Sequence, residues 1–298
     1  MNLIPTGVAA GEGGRILYGT FDPSGQATPN RRSYEFERVN ELRNAQGDRS
    51  YLATVQLQKR FAGGQEIGVA YTYTDSKDRM SAAADLAVSN VGGNALDGPI
   101  DDRRLRTSSY SVPHKITVVG AVDLPLHARF SVFYIGYSGQ PYTYLIQGDA
   151  DAARYAGNDI VYVPTDAADI TLADPAQYPD LDRFIQSEPC LRSQRGRLMR
   201  RNSCRDHWNT VVNARVSKVV PTTRGQSIEL IADLFNALNL FDSDWGVRQF
   251  VSNTELLELV GYDLPNGRAV YNVLPVDRNT VDAEATRWRV QVGARYSF

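Results

Sequence analysis

The feature that most constrains this chain is the order of its connections. Read back from the C-terminus, extended stretches are joined by a long connection (243–284), a short one (221–225), a long one (147–206), a short one (125–127), a long one (76–112) and a short one (62–65). Every long connection therefore falls at one end of the strands and every short one at the other. A soluble sandwich has no reason to sort its loops in this way, and connections of such length are unusual inside a compact soluble domain. Short turns at one end and long loops at the other are what a bacterial outer-membrane β-barrel has, with the turns in the periplasm and the loops outside the cell.

The stretches between these connections carry the two-residue period of strands. In the closing segment, Arg287–Phe298, Trp288, Val290, Val292, Ala294, Tyr296 and Phe298 share one face. Arg287, Arg289, Gln291, Gly293, Arg295 and Ser297 share the other. Taken alone, such a strand fits a soluble sheet edge or a barrel strand with lipid outside and water inside. Its length is close to the ~9–11 residues that a tilted strand needs to cross a bilayer, and aromatics stand near both ends of its apolar face, as in the interfacial girdles of barrels. The same alternation runs through Tyr51–Phe61, Ile67–Thr74, Lys115–Leu124, Ala128–Tyr144, Asn209–Ser217 and Ile228–Leu234.

Composition agrees without deciding the matter. No run approaches the ~18 apolar residues of a transmembrane helix, and a mean hydropathy of −0.35 is compatible with strands of which half the residues are polar. A net charge of −2 argues against bulk attraction to nucleic acid. The start, Met1 to Arg15, has neither the basic nor the apolar region of a secretory signal, which a barrel exported to the outer membrane requires. Residues 1–48 read as a loop region with one weak strand at Ser33–Asn44, carrying Tyr34, Phe36, Val39 and Leu42 without a clean period. A short helix is expected after Ser252 or Asn253, through Glu255–Leu257.

Several segments resemble the C-terminal barrel of TonB-dependent outer-membrane receptors, in the subgroup that carries a carboxypeptidase-regulatory-like domain ahead of the plug. They are Ser50–Phe61, Tyr71-Thr72-Tyr73-Thr74, Tyr137-Ser138-Gly139-Gln140-Pro141-Tyr142, Gly157-Asn158-Asp159, Asp233-Leu234-Phe235-Asn236-Ala237-Leu238-Asn239 and the closing strand. The resemblance runs from about Arg15 onward. It implies a 22-strand barrel, a plug and a periplasmic box for the TonB complex. Against that pattern the chain offers seven strong strands and a weak one, with no recognisable plug, TonB box or signal. The expectation is an all-β, antiparallel transmembrane section of about seven or eight strands from a larger barrel, occupying 49–298, and hence a fragment. It should form an open arc with free edges at Ser33–Asn44 and at Arg287–Phe298.

Cys190 and Cys204 are the only cysteines and lie in one long loop. A disulfide is expected, stabilising by about 3 kcal/mol in the chain-entropy model; zinc is disfavoured because only His207 of the three histidines is near. Arg192, Arg195, Arg197, Arg200 and Arg201 between them form either an anion contact or, as favoured here, local pairs with Asp166, Asp169, Asp174, Asp180 and Asp182. Asp149, Asp151, Asn158 and Asp159 are weak candidates for calcium, because their spacing departs from the EF-hand pattern; no metal or cofactor is expected. No Gly-x-Ser-x-Gly elbow surrounds Ser138, and no nucleophile–base pair is legible, so an enzyme is not expected. Val292, Tyr296 and Phe298 form the expected lipid face at the periplasmic rim. By the resemblance, the barrel-assembly machinery recognises a closing strand ending in an aromatic residue.

The function expected is therefore part of an outer-membrane transporter for a bulky nutrient. Its partners would be outer-membrane lipid, the barrel-assembly machinery, an unidentified nutrient ligand and, through a plug, the TonB complex, with no nucleic acid. The competing reading is a small stand-alone barrel for surface display or adhesion.

Overall fold

The computed structural model describes residues 2–41 and 43–298. Seven long antiparallel strands form one wall: β1 (Arg49–Arg60), β2 (Glu66–Asp78), β3 (His114–Leu124), β4 (Ala128–Tyr137), β5 (Asn209–Pro221), β6 (Ser227–Phe235) and β7 (Arg289–Ser297). Each pairs with its neighbour in sequence, so the spatial order is β1 to β7 without a crossover. β1 and β7 stand at opposite ends and do not pair with each other. The short connections close tight turns, and all the long ones leave from the other end. At the turn between β3 and β4, Leu126 and His127 both take a left-handed conformation, with φ of 62° and 58°.

The wall confirms the open arc and corrects one edge of it. Ser33–Asn44 contains no strand among its described residues, and the first edge is β1 instead. Tyr34, Phe36 and Val39 are exposed there, while Leu42 lies outside the described residues. Without an alternating face, this segment has nothing to bury by joining the sheet.

The long connections are not irregular. They fold together over one end of the wall into a cap, and this cap holds the buried hydrophobic core of the chain: Tyr144, Ile146, Val161, Leu181, Leu191 and Leu257 are each nearly or wholly inaccessible. A four-stranded sheet runs through it, in the order Leu145–Gln147, Glu255–Asp263, Arg268–Val273, Thr171–Leu172. Its outer strands pair parallel to the central hairpin, so segments more than eighty residues apart are laid side by side. One helix, α1 (Tyr178–Ser187), buries Leu181 and Ile185, four residues apart on one face, against this sheet.

The helix expected at Glu255–Leu257 is strand instead. Asn253 Oδ1 accepts the Glu255 N–H at 2.9 Å, a local turn that looks like a helix start. The chain then runs extended to Asp263, where Leu264-Pro265-Asn266-Gly267 reverses it. Residues 1–48, expected as loop, contribute two small hairpins to the cap, Gly7–Val8 with Ile16–Leu17 and Gly19–Phe21 with Ala27–Pro29.

Candidate functional site

The register gives the wall two chemically different faces. One row across all seven strands reads Val290, Leu234, Ala214, Val132, Gly120, Ile67 and Lys59. Parallel rows hold Val292, Ala232, Val216, Phe130 and Val122, and Val212, Tyr134, Val118, Val69 and Leu57. These side chains stand in the open: Leu57 is 74% exposed and Val292 77%. A contiguous apolar sheet face of this extent requires a non-aqueous neighbour, and its alternation with a polar face is that of a barrel wall in lipid.

The other face carries most of the charges; Lys59 and Lys218 stand on the first, near its short-turn end. Gln291, Asp233, Arg215, Ser131, Ala121, Glu66 and Arg60 form one row from edge to edge. Arg215 donates through Nε and Nη2 to both oxygens of Asp233, at 2.5 and 3.0 Å, and Glu66 pairs with Arg60 at 3.3 Å and Arg129 at 3.7 Å. A groove of about 480 Å³ lies against this face, where Val119, Phe133 and Phe235 stand beside Glu66, Arg215 and Asp233. The wall thus has lipid-compatible side chains outside and a wet, ion-paired lining inside.

At the short-turn end, Tyr296 and Phe298 stand together with ring centroids 6.0 Å apart, and Tyr296 Oη donates to Gln226 beside the β5–β6 turn. This is the rim position expected of them. Val292 sits near mid-strand rather than at the rim, level with Ala232 and Val216.

The motifs that carried the resemblance have structural work at the wall–cap junction. Asn236 takes a left-handed φ of 49°, turning β6 into a short helix. Its N–H donates to Asn213 Oδ1 at 2.9 Å, while Nδ2 donates to Gly246 O at 2.9 Å and to Thr286 O. Gly139 is required by crowding: a Cβ there would stand 2.4 Å from His207 O and 2.5 Å from Asp206 O. Arg205 reaches through the same place, with Nη1 donating to Gly139 O at 2.7 Å and Ser111 O at 2.8 Å.

In the cap, Cys190 and Cys204 are joined by a disulfide, with Cα atoms 5.2 Å apart. The five arginines of that segment do not converge on one point. Arg195 pairs with Asp182 and also donates to Pro164 O at 2.8 Å. Arg201 is buried and pairs with Asp78, on β2, at 2.6 Å. Arg192 donates to Gln186 O and Arg200 to Gln194 Oε1, and among the described residues no ion pair forms at Arg197. Of the carboxylates expected to pair with them, only Asp182 does so. Asp180 pairs instead with Arg183, and Asp169 accepts from Tyr162 and Thr165.

Asp149, Asp151 and Asp159 are brought together, with one oxygen of each lying within 4.8 Å of the others. Asp151, Asn158 and Asp159 are almost wholly buried, at 2%, 1% and 1% exposure. Burial holds the carboxyls of Asp149, Asp151 and Asp159 above their ordinary range, and repulsion from neighbouring carboxylates adds to it at Asp151 and Asp159. Asp159 is pushed up to about 6 by burial even though the Arg15 guanidinium pulls it down. Arg15 donates to Asp159 Oδ1 at 3.2 Å, to Ile160 O at 2.7 Å and to Glu12 Oε2 at 2.5 Å. Glu12, Arg15 and Tyr271, which complete this buried network, carry no local sequence signal. Arg15 and Asp159 are 144 positions apart, and only the folded cap puts them in contact.

Comparison with known proteins bears on the wall. The family described as outer membrane beta barrel domain matches residues 5–242. No curated protein and no solved structure matches the chain.

Proposed function

The chain belongs to the family of outer membrane beta barrel domains, and on that premise we propose that it is the C-terminal part of the wall of a TonB-dependent receptor that takes up a bulky nutrient. As a family member it is an all-β protein of the outer membrane. Its strands then lie in the bilayer, its short turns face the periplasm and its cap stands outside the cell.

The observation that carries the finer reading is the pair of unsealed edges. β1 and β7 do not meet. In hydrocarbon an unpaired backbone group costs several kcal/mol, so strands supplied from elsewhere must pair with both edges. Closing seven strands on themselves would demand a new tilt and shear and would crowd Arg60, Glu66, Arg215 and Asp233 into a narrow bore. A wide wall with a charged lining suits a lumen that holds a plug. In this reading the chain performs no chemistry. The plug couples to the TonB complex, the assembly machinery receives β7 with Val292, Tyr296 and Phe298, and a nutrient ligand meets the cap and the polar face. The loop arginines Arg192, Arg197 and Arg200 remain available to an anionic group on that ligand.

The test is a pair of cysteines on the polar face of the two edges, Gln56→Cys on β1 and Gln291→Cys on β7, in the full-length protein in its native outer membrane. Oxidation is expected to leave them unlinked, because other strands stand between the edges, and deletion of TonB should abolish energised uptake. Efficient intramolecular linkage would mean that the seven strands seal by themselves, and would install the surface-display barrel in place of the receptor.

A further inference from the structure

The acidic cluster of the cap carries more charge than its surroundings balance. Glu12, Asp149, Asp151 and Asp159 come together with the guanidiniums of Arg15 and Arg103, and Arg103 is spent on the backbone carbonyls of Val91 and Asn94. The nearby Asp97 is taken by Arg104 and Arg106, and Asp78 by Arg201. Arg154, whose charge also acts on Asp149, reaches outward to Glu37, so the four acids still outnumber the guanidiniums beside them in a buried place. Buried charge of this kind must be neutralised by protons, by partners or by a metal.

The hydrogen bonding of the cluster's oxygens points to a cation independently of the charge count. Almost every other oxygen of the cluster is engaged. Asp149 accepts the N–H groups of Ala153 and Arg154 at 3.0 and 2.8 Å. Asp159 accepts from Arg15 and, through Oδ2, from the N–H of Ala150 at 2.7 Å and of Asp151 at 3.3 Å. Asp151 accepts from the Ala153 N–H through Oδ1 at 2.9 Å, but its Oδ2 is buried with no partner. In the same loop Asn158 donates through Nδ2 to Val91 O at 3.1 Å, and its Oδ1 is likewise buried and unpartnered. The orphaned Asp151 Oδ2, on a residue of the anionic cluster, is a buried acceptor without a donor, the situation that a cation relieves.

We propose that Asp149, Asp151 and Asp159 bind one calcium ion. The donor set is hard oxygen throughout, which selects calcium or magnesium over softer metals. Two oxygens on opposite sides of one calcium lie about 4.6–5.2 Å apart, and the three carboxylates fit inside that span. Calcium is preferred to magnesium because these ligands come from an irregular loop, and calcium tolerates irregular coordination where magnesium demands a near-ideal octahedron. The consequence is structural: the ion ties Gly148–Asp159 to the segment of Glu12 and Arg15, which makes the order of the cap depend on external calcium. The inference rests on the cap alone and stands whether or not the wall belongs to a TonB-dependent receptor.

The experiment uses the full-length protein in detergent, washed with EGTA and titrated with calcium chloride alone. Isothermal titration and native mass spectrometry should report one ion per chain. The affinity should fall near the ~10⁻⁴–10⁻³ M of extracellular calcium modules. Added calcium should raise the unfolding midpoint and protect the cap from protease, with magnesium much less effective. Asp151→Asn should weaken binding by about tenfold or more, since charge count sets affinity in such sites, while Asp180→Asn, an exposed acid outside the cluster, should bind as the parent does. Absence of saturable calcium binding up to about 10 mM in the unmutated protein, well above the weakest extracellular modules, would overturn the proposal. Unchanged affinity in Asp151→Asn would do the same. The titration of the unmutated protein decides the matter even where that variant fails to fold.

Discussion

Tyr271 Oη donates to Glu12 Oε1 at 2.6 Å across 259 positions of sequence, and both residues are buried. The contact fastens the first hairpins of the chain to the hairpin of its last long loop. Through Glu12 it continues to Arg15, and through Arg15 to Asp159 and Ile160 O. Three segments distant in sequence are thus joined by one buried polar chain. Burial also raises the Tyr271 hydroxyl well above its usual range, with the Glu12 carboxylate adding to the shift, so the phenol stays a donor at any physiological pH.

Glu12→Ala should therefore loosen the cap without harming the wall. It leaves the Arg15 guanidinium buried with one carboxylate fewer, and breaking a buried pair from one side costs roughly 3–5 kcal/mol. Limited proteolysis of membrane-embedded protein should show faster cleavage in 147–206 and 243–284, with insertion unchanged. A cap as resistant as that of the parent would refute the coupling.

The Cys190–Cys204 bond should be found intact in exported protein, by non-reducing mass spectrometry of a tryptic digest. Its ends are 14 positions apart, for which the chain-entropy model gives about 3 kcal/mol. Reduction should accordingly lower the stability of the cap while β1–β7 remain in the membrane. Free thiols at both positions in folded protein would contradict the structure.

Val292→Arg and Gln291→Arg should behave oppositely, although they are adjacent. Val292 lies on the apolar face near mid-strand, where a charge costs ~2–4 kcal/mol against lipid. Gln291 lies in the row of Asp233 and Arg215, where a charge meets water and an acid. The first variant should lower the amount of protein in the outer membrane, as should deletion of Phe298 from the closing strand, while the second should not. Equal insertion of both arginine variants would mean that the faces are assigned wrongly.

The wall was legible in the sequence because strand alternation is local. Each pair of neighbouring strands shares a short turn or a matching apolar set, so Val290 through Leu57 could be placed on one face from period alone. The Cys190–Cys204 bond was legible for the same reason, since both residues sit in one loop. The cap was not. Its strands are mostly two or three residues long, as at Thr171–Leu172 and Arg197–Leu198, too short to show a period, and they pair with segments far away. At Glu255–Leu257 a polar cap-like start hid a strand whose Val260, Tyr262 and following Pro265-Asn266-Gly267 turn were the better guide. The loop arginines were expected to pair with the nearest acids in sequence. Arg201 instead reaches Asp78 on the wall, because a buried guanidinium needs a carboxylate partner and sequence distance sets no limit on that contact.

Finally, the acidic cluster fixes the sign of the pH response of the cap in calcium-free protein. Burial pushes the Asp159 carboxyl up to about 6 in the folded chain, from an ordinary value of 3.8, and Asp149 and Asp151 are shifted in the same direction, mainly by burial. For a carboxyl whose folded value is raised, the folded state binds the proton more tightly than the unfolded one, so stability increases as pH falls. Above pH about 7 the full cost of burying the charged form is present. Acidification through about 6 relieves it progressively, and the gain is complete once pH drops below the unfolded value near 3.8. In EGTA the unfolding midpoint of the cap should therefore rise between pH 7 and pH 5, the reverse of a protein held by salt-bridged carboxylates. Asp151→Asn should flatten that rise, because it removes one of the repelling charges. Thermal melts read by protease susceptibility of the cap at each pH will show it. A midpoint that falls steadily from pH 7 to pH 5 would mean that the three carboxyls are not buried together as the structure has them.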